Sequence, residues 1–148
     1  MAEFTITRHI NAPIATVWEV IDDFGDIQRW NDGVKASALT SDGPVGQGST
    51  RHCDFVPFGA VEERIVGYEP NQRMTIDLYE THKLPISKAI ADFHVAVAED
   101  GTDLRIEYSY TLNRVGRAAK GYTDKQLRKG LGGLAEGLQR EAERIAAS

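Results

Sequence analysis

The chain has one cysteine, Cys53, in 148 residues. An intramolecular disulfide is therefore excluded, and so is a zinc site built from cysteine pairs. The lack of cysteine pairing fits a reducing compartment, and a cytoplasmic location is expected. Basic charge is also in short supply. Lys and Arg number 17 against 22 Asp and Glu, a formal net charge of −5. That balance argues against general nucleic-acid binding, which draws on dense Lys/Arg patches. No stretch approaches the roughly 18 apolar residues of a membrane span. The opening MAEFTITRHI has neither a basic start nor an apolar run, so no signal peptide is expected. Repeats and low-complexity tracts are missing too. No linear His/Asp/Glu spacing matches a known metal site, and neither a metal nor a cofactor is expected. What is present is ordinary: 41% apolar and 26% charged residues. The length suits one domain, residues 1–148, large enough to bury a real core.

The pattern of apolar residues orders the chain. Alternation through AEFTITRHI, with Phe4, Ile6 and the His9–Ile10 pair on one side, predicts a half-buried strand. Pro13 suits the first turn of a helix. Ile14, Val17, Trp18, Ile21 and Phe24 recur at three- and four-residue spacing and give that helix one apolar face. Gly25 is the expected breaker, and IQRW adds a short second helical turn that ends at Asn31–Gly33. Six strands follow: Val34–Thr40, Ser49–Phe55, Val61–Tyr68, Met74–Glu80, Ala89–Ala98 and Asp103–Leu112. The breaks SDGPVGQG, VPFG, EPNQ and EDGT carry turn chemistry, so the sheet should be an antiparallel meander. The last segment is helical. Thr123 and Gln126 offer a capping box, or the helix starts near Arg117 and bends at Gly121. Leu127, Leu131, Leu134, Leu138, Ala142 and Ile145 line one face. Gly130, Gly132, Gly133 and Gly137 lie inside it, each costing about 1 kcal/mol relative to alanine. Docking on the sheet must hold such a helix.

A half-buried sheet must cover its apolar face. A sheet curved around one long helix leaves a gap, and that gap is a pocket. Strand parity assigns its walls. Leu104, Ile106, Tyr108, Tyr110 and Leu112 should face inward, as should Ala91, Phe93, Val95 and Val97. Met74, Ile76 and Leu78 do the same in their strand, and Val61, Glu63 and Ile65 in theirs. Arg51, Cys53 and Phe55 complete the inner face. Arg51 and Glu63 then oppose each other on adjacent strands. An inward carboxylate is costly unless paired, and the Arg51 guanidinium can pair it. The pair is a structural ion pair, a polar anchor for a ligand, or an acid/base device. Cys53 reads as a small apolar wall group, Trp18 as core, and Trp30 as pocket lining. Leu131 and Leu134 bring the helix to the pocket, and Tyr108 is the hydroxyl best placed to donate into it. His52 and His94 fall on the outer face with Asp92, although a one-residue slip would turn Asp92 and His94 inward. Arg114, Arg117 and Lys120 form a basic cluster, either a solvated rim or an entrance for anions. Phe55, Val56, Pro57 and Phe58 form an apolar loop, a lid or a contact with a second copy in a homodimer.

INAPIATVWEVIDDFGDIQRWN, GQGSTRH and EERIVGYEPNQRMTIDL together resemble the START-like (SRPBCC) helix-grip superfamily, which includes the birch pollen allergen. The nearest likeness is to its polyketide cyclase/dehydrase and lipid-transport group. The matching features are Trp18, Asp23–Phe24, Trp30, Gly48 with Arg51, and Glu63–Arg64–Ile65 with Tyr68. The resemblance spans roughly residues 3–147. It implies an α+β fold: two short helices after the first strand, then a curved antiparallel sheet of six or seven strands wrapped around a long C-terminal helix. It also implies a small hydrophobic ligand of polyketide, aromatic or lipid type, and favours Arg51 and Glu63 as its anchor. A cyclase or dehydratase would use Arg51 to polarise a carbonyl, with Glu63 or Tyr108 moving protons. A cochaperone-like interaction module is the third member of the set. The fold does not choose among them.

Overall fold

A computed structural model describes residues 2–148. Strand β1 (Ala2–Ile10) leads into helix α1 (Ile14–Asp22) and a 3-10 helix, Phe24–Arg29. Six strands follow: β2 (Val34–Leu39), β3 (Thr50–Phe55), β4 (Ala60–Glu69), β5 (Arg73–His82), β6 (Ile86–Ala98) and β7 (Gly101–Leu112). Helix α2 (Arg114–Ala118) and the long α3 (Lys120–Ala147) close the chain. The sheet is open and antiparallel throughout, in the order β1-β7-β6-β5-β4-β3-β2. Consecutive strands are neighbours from β2 to β7. The helical crossover after β1 places β1 and β2 on opposite edges.

Parity works well on β7, where Leu104, Ile106, Tyr108, Tyr110 and Leu112 are all buried. It fails for Val97, which is 78% exposed. Val97 stands at the end of β6, beyond the last pair that β6 makes with β5, Arg73 with His94. It also fails across a bulge. Register shifts between Glu62 and Glu63, so Glu62 faces Glu80 while Glu63 faces Leu78. The extra residue in β5 is what turns Glu80 away from the face that Leu78 occupies.

Helix α1 buries Val17, Trp18, Val20 and Ile21. Trp18 packs on Tyr68, with ring centroids 5.8 Å apart, and the Tyr68 hydroxyl donates to Asp22 Oδ1 at 2.6 Å. The break after α1 belongs to Asp23 (φ −77°, ψ 59°) rather than to Gly25. Gly25 lies inside the 3-10 helix, where a Cβ would meet Leu39 Cγ at 2.6 Å; its role is a close approach to β2.

The C-terminal helix also departs from expectation. Thr123 caps nothing. The chain breaks at Ala119 (φ −123°, ψ 43°), and α3 starts at Lys120 without a side-chain cap. Gly121 is therefore inside α3. Asn113 caps α2 instead, its side chain accepting from Gly116 N at 3.0 Å. Only the C-terminal half of α3 is packed hard. Ala135, Gly137, Leu138, Glu141 and Ala142 are buried, while most residues from Lys120 to Gly133 are not. Arg8 donates to Gln139 Oε1 (3.1 Å) and the Asn11 amide to Glu143 Oε2 (2.9 Å), tying that half to β1 and the turn after it. The N-terminal half of α3 stands away from the sheet, and the cavity lies in the space it leaves.

Candidate functional site

The polar centre of the site starts from register. Arg51 on β3 pairs directly with Glu63 on β4. Arg51 is 5% exposed, and its Nε donates to Glu63 Oε1 at 2.8 Å. Its Nη1 donates to the Phe24 carbonyl at 2.9 Å, and the guanidinium carbon lies 4.0 Å above the centre of the Phe24 ring. The 3-10 helix thus clamps the arginine from one side while Glu63 holds it from the other. Arg51 Nη2 and Glu63 Oε2 make no hydrogen bond to any described residue, and both residues line the cavity. Tyr108, on β7, lines it too, and its hydroxyl has no partner among the described residues. Burial first, and then the charge of Glu63, raise the Tyr108 phenol well above its ordinary value. That hydroxyl is a donor at neutral pH, never a base.

Around this centre lies a cavity of about 540 Å³. Val61, Ile76, Leu78, Ala91 and Phe93 form its sheet wall. Leu127, Leu131 and Leu134 of α3 face them. Phe55 and Val56, with Leu84–Ile86, close one side. The rim is charged: Asp32, Lys129, Glu136 and Arg140, all exposed, border the opening. Apolar walls with a few fixed polar groups are the usual make-up of a small-molecule site.

The fold brings Arg51, Phe55, Glu63, Ile76, Leu78, Phe93, Tyr108, Leu131 and Leu134 together on one cavity. Of the other expected wall residues, Val95, Leu104, Ile106 and Leu112 are buried but do not border the cavity, and five more lie elsewhere too. Cys53 is buried behind the pair, its thiol 3.9 Å from Glu63 Oε1. Burial pushes that thiol up to about 12, so it stays protonated. Ile65 and Met74 are fully buried at the end of the strands where Tyr68 pairs with Met74 and packs against Trp18. The Tyr110 hydroxyl is consumed by Asp124, donating to Oδ1 at 2.6 Å. Trp30 is buried under α3, with its carbonyl against Gly137 and its indole nitrogen unpartnered. Sequence reasoning missed Asp32, Leu84, Lys129, Glu136 and Arg140. They sit in turns or on the polar side of a helix, where apolar periodicity carries no signal. The basic cluster Arg114, Arg117 and Lys120 does not border the cavity.

The four histidines lie on the outer face or its edges. His94 Nε2 is 3.2 Å from Asp92 Oδ2, and Asp92 is gripped by Arg73 through two bonds of 2.9 and 2.7 Å. The one-residue slip is therefore absent, and no Asp–His dyad enters the cavity. Two groups, Glu62–Glu80–His82 and Asp92–His94–Glu107, bring candidate ligand atoms within 4.8 Å of one another. Each is drawn from two neighbouring strands, which linear spacing cannot display. The second is already neutralised by Arg73.

His52 is the outer-face group with a clear pH consequence. Hydrogen bonds to Glu62 (2.7 Å) and Asp54 (3.0 Å) raise its pKa above 6.5. A raised histidine pKa stabilises the fold fully below about 6.5 and loses that contribution as pH climbs through the folded value. NMR titration should find His52 above 6.5, and Glu62→Gln should bring it back down. A melting temperature that rises from pH 6 to pH 8 specifically through His52 would contradict this.

With the geometry in place, three comparisons bear on it. The profile of the family described as polyketide cyclase / dehydrase and lipid transport matches residues 1–139. The chain belongs to this family. No curated protein matches by sequence. Among solved structures, the Zhui aromatase/cyclase from a Streptomyces species is 13% identical with a TM-score of 0.83, over 97% of this chain and 94% of that one. The di-domain aromatase/cyclase StfQ from the steffimycin biosynthetic pathway is 12% identical with a TM-score of 0.80, over 99% of this chain and 52% of that one. Ara h 8.0201 is 10% identical with a TM-score of 0.77, over 95% and 97%. At such identities the likeness establishes the helix-grip fold and nothing finer. No helix among the described residues is long and apolar enough to cross a membrane.

Proposed function

We propose that the chain is one ligand-binding domain whose cavity holds a small hydrophobic molecule, polyketide-, aromatic- or lipid-like. The observation that carries this is the cavity of about 540 Å³ with apolar walls and a single buried ion pair at its base. The free Nη2 of Arg51 would donate to a ligand carbonyl or hydroxyl oxygen. Glu63 Oε2 would accept from a ligand hydroxyl, and the Tyr108 hydroxyl would donate a second bond. The rest of the ligand would be held by area burial. A cochaperone-like role called for a filled core, and the cavity argues against it.

Native mass spectrometry of the purified chain should reveal a co-purifying hydrophobic molecule, or a fluorescent apolar probe should bind and be displaced by polycyclic aromatics. Ala91→Trp fills the wall from inside. It should weaken probe binding by about ten-fold or more, at a stability cost of about 1–3 kcal/mol for overpacking. Unchanged binding in that variant would remove the cavity from the account.

A second reading, a polyketide aromatase/cyclase or dehydratase, is favoured by one observation. Two groups with unused hydrogen-bonding capacity and opposite proton habit, the Oε2 atom of Glu63 and the Tyr108 phenol, line the same cavity. Arg51 would polarise a ligand carbonyl, Glu63 would take a proton and Tyr108 would give one. Glu63→Gln that keeps probe affinity but abolishes turnover of a poly-β-keto substrate supports it. Absence of turnover with such substrates supports the carrier.

A further inference from the structure

Two features of the sequence are not accounted for by the cavity: the basic cluster after β7 and the exposed tip of the apolar loop after β3. The fold brings them to one end of the molecule. The β3–β4 loop folds back through Phe55 N to Gly59 O (2.8 Å), and Gly59 lies against the Leu84 side chain. Leu84 and Pro85 in turn hold α2. Asn113 Nδ2 donates to the Leu84 carbonyl (2.7 Å), Asn113 N to Pro85 O (3.0 Å), and a Cβ at Gly116 would collide with the Pro85 carbonyl. Helix α3 starts immediately afterwards and is fixed to β7 by the Tyr110–Asp124 bond.

This end displays four large apolar side chains to solvent: Val56 (55% exposed), Phe58 (63%), Val115 (73%) and Tyr122 (69%). Between residues 113 and 133 there are six Lys or Arg and one acid, a net charge of +5 in a chain of net −5. The one acid, Asp124, is already bonded to Lys120 and Tyr110. Lys83, exposed in the β5–β6 turn, adds to the same end. Val56, Leu84, Pro85, Leu127 and Lys129 also line the cavity, so this face runs into its opening.

We propose that this end of the molecule docks on an anionic lipid bilayer. Charge complementarity selects a negative partner. The form of the apolar groups selects a bilayer over a folded acidic protein. They project singly from a loop and from two helices among Lys and Arg side chains, where a protein interface would present one continuous packed patch. Isolated Phe, Val and Tyr side chains can enter the headgroup region while the cations stay at its surface. The docked face would set the cavity opening beside a bilayer, where a hydrophobic ligand resides. That last step rests on the proposed ligand class; the docking does not.

The experiment is co-sedimentation of the full chain with phosphatidylcholine vesicles, with and without phosphatidylglycerol, and no ligand added. Binding should be about ten-fold or more stronger on the anionic vesicles and should fall with added salt. R114E/K125E, both exposed and outside the cavity, should abolish that preference. Phe58→Ser with Tyr122→Ser should weaken binding while leaving the salt dependence. Circular dichroism checks that each variant folds. Equal binding to both vesicle types, or anionic binding unaltered by R114E/K125E, overturns the proposal. So does retention on an acidic protein surface without vesicle binding, or a solution dimer that buries Phe58. Because no ligand is present, a failed ligand assay leaves this result standing, and a failed vesicle assay leaves the ligand result standing.

Discussion

Arg51→Met is expected to lower the unfolding free energy by about 3 kcal/mol, read from urea titration. The loss follows from what the arginine leaves behind. Glu63 is only 15% exposed by side chain and faces a largely apolar cavity, so its carboxylate would be unpaired there. The Phe24 carbonyl would lose its donor at 2.9 Å, and the Phe24 ring its cation. Methionine fills much of the volume, so the deficit reports charge and hydrogen bonding more than a void. Removing both partners tests that account. R51M/E63L should be markedly more stable than the sum of its single substitutions, because no unpaired charge remains. The double variant also separates structure from recognition. If the pair anchors a ligand, R51M/E63L keeps its fold and its cavity but binds a carbonyl-bearing probe about ten-fold more weakly, the worth of roughly one charge-assisted hydrogen bond. If affinity is unchanged, the pair is structural and the anchor model fails.

The same pair shows how far the sequence could be read. Arg51, Cys53 and Glu63 alternate on strands joined by a short loop, so period-two parity placed all three inward without any structure. Parity says which face a residue occupies. It does not say how far along the strand the cavity extends. Cys53, Ile65 and Met74 are inward and buried, yet none of them borders the cavity. Tyr110 is inward as well, but its hydroxyl meets Asp124 of α3, a contact between segments that no strand pattern encodes. The bulge opposite Glu62 marks a second limit. An inserted residue reverses parity locally, and nothing in LYETH announces it. The rim residues Asp32, Lys129, Glu136 and Arg140 were illegible for a third reason. Their place depends on how α3 crosses the sheet, which is a property of tertiary packing alone.

Four of the five glycines of α3, alike in the sequence, are predicted to respond in opposite directions to alanine. At Gly130, Gly132 and Gly133 an added Cβ meets nothing within 4 Å. Each substitution there should gain about 1 kcal/mol of helix propensity, and the triple variant about 2–3 kcal/mol, or roughly 5–10 °C in melting temperature. At Gly137 the added Cβ would strike the Trp30 carbonyl oxygen, with Trp30 Cε3 at 3.6 Å behind it. Gly137→Ala must push α3 off the segment after the 3-10 helix and should cost about 2 kcal/mol or more. The two classes sit in the two halves of the helix. Gly137 belongs to the half that packs on the core, and the other three to the half that spans the cavity. Glycine at those three positions leaves this half of the helix loose, and on the proposed ligand-binding reading Leu127, Leu131 and Leu134 would move aside there for a ligand to pass. The triple alanine variant should bind an apolar probe with both association and dissociation slowed, while equilibrium affinity changes less. Stopped-flow fluorescence reads this directly. If the triple variant is stabilised but both rates are those of the parent chain, ligand entry does not pass through this half of α3, and the glycines serve some other end.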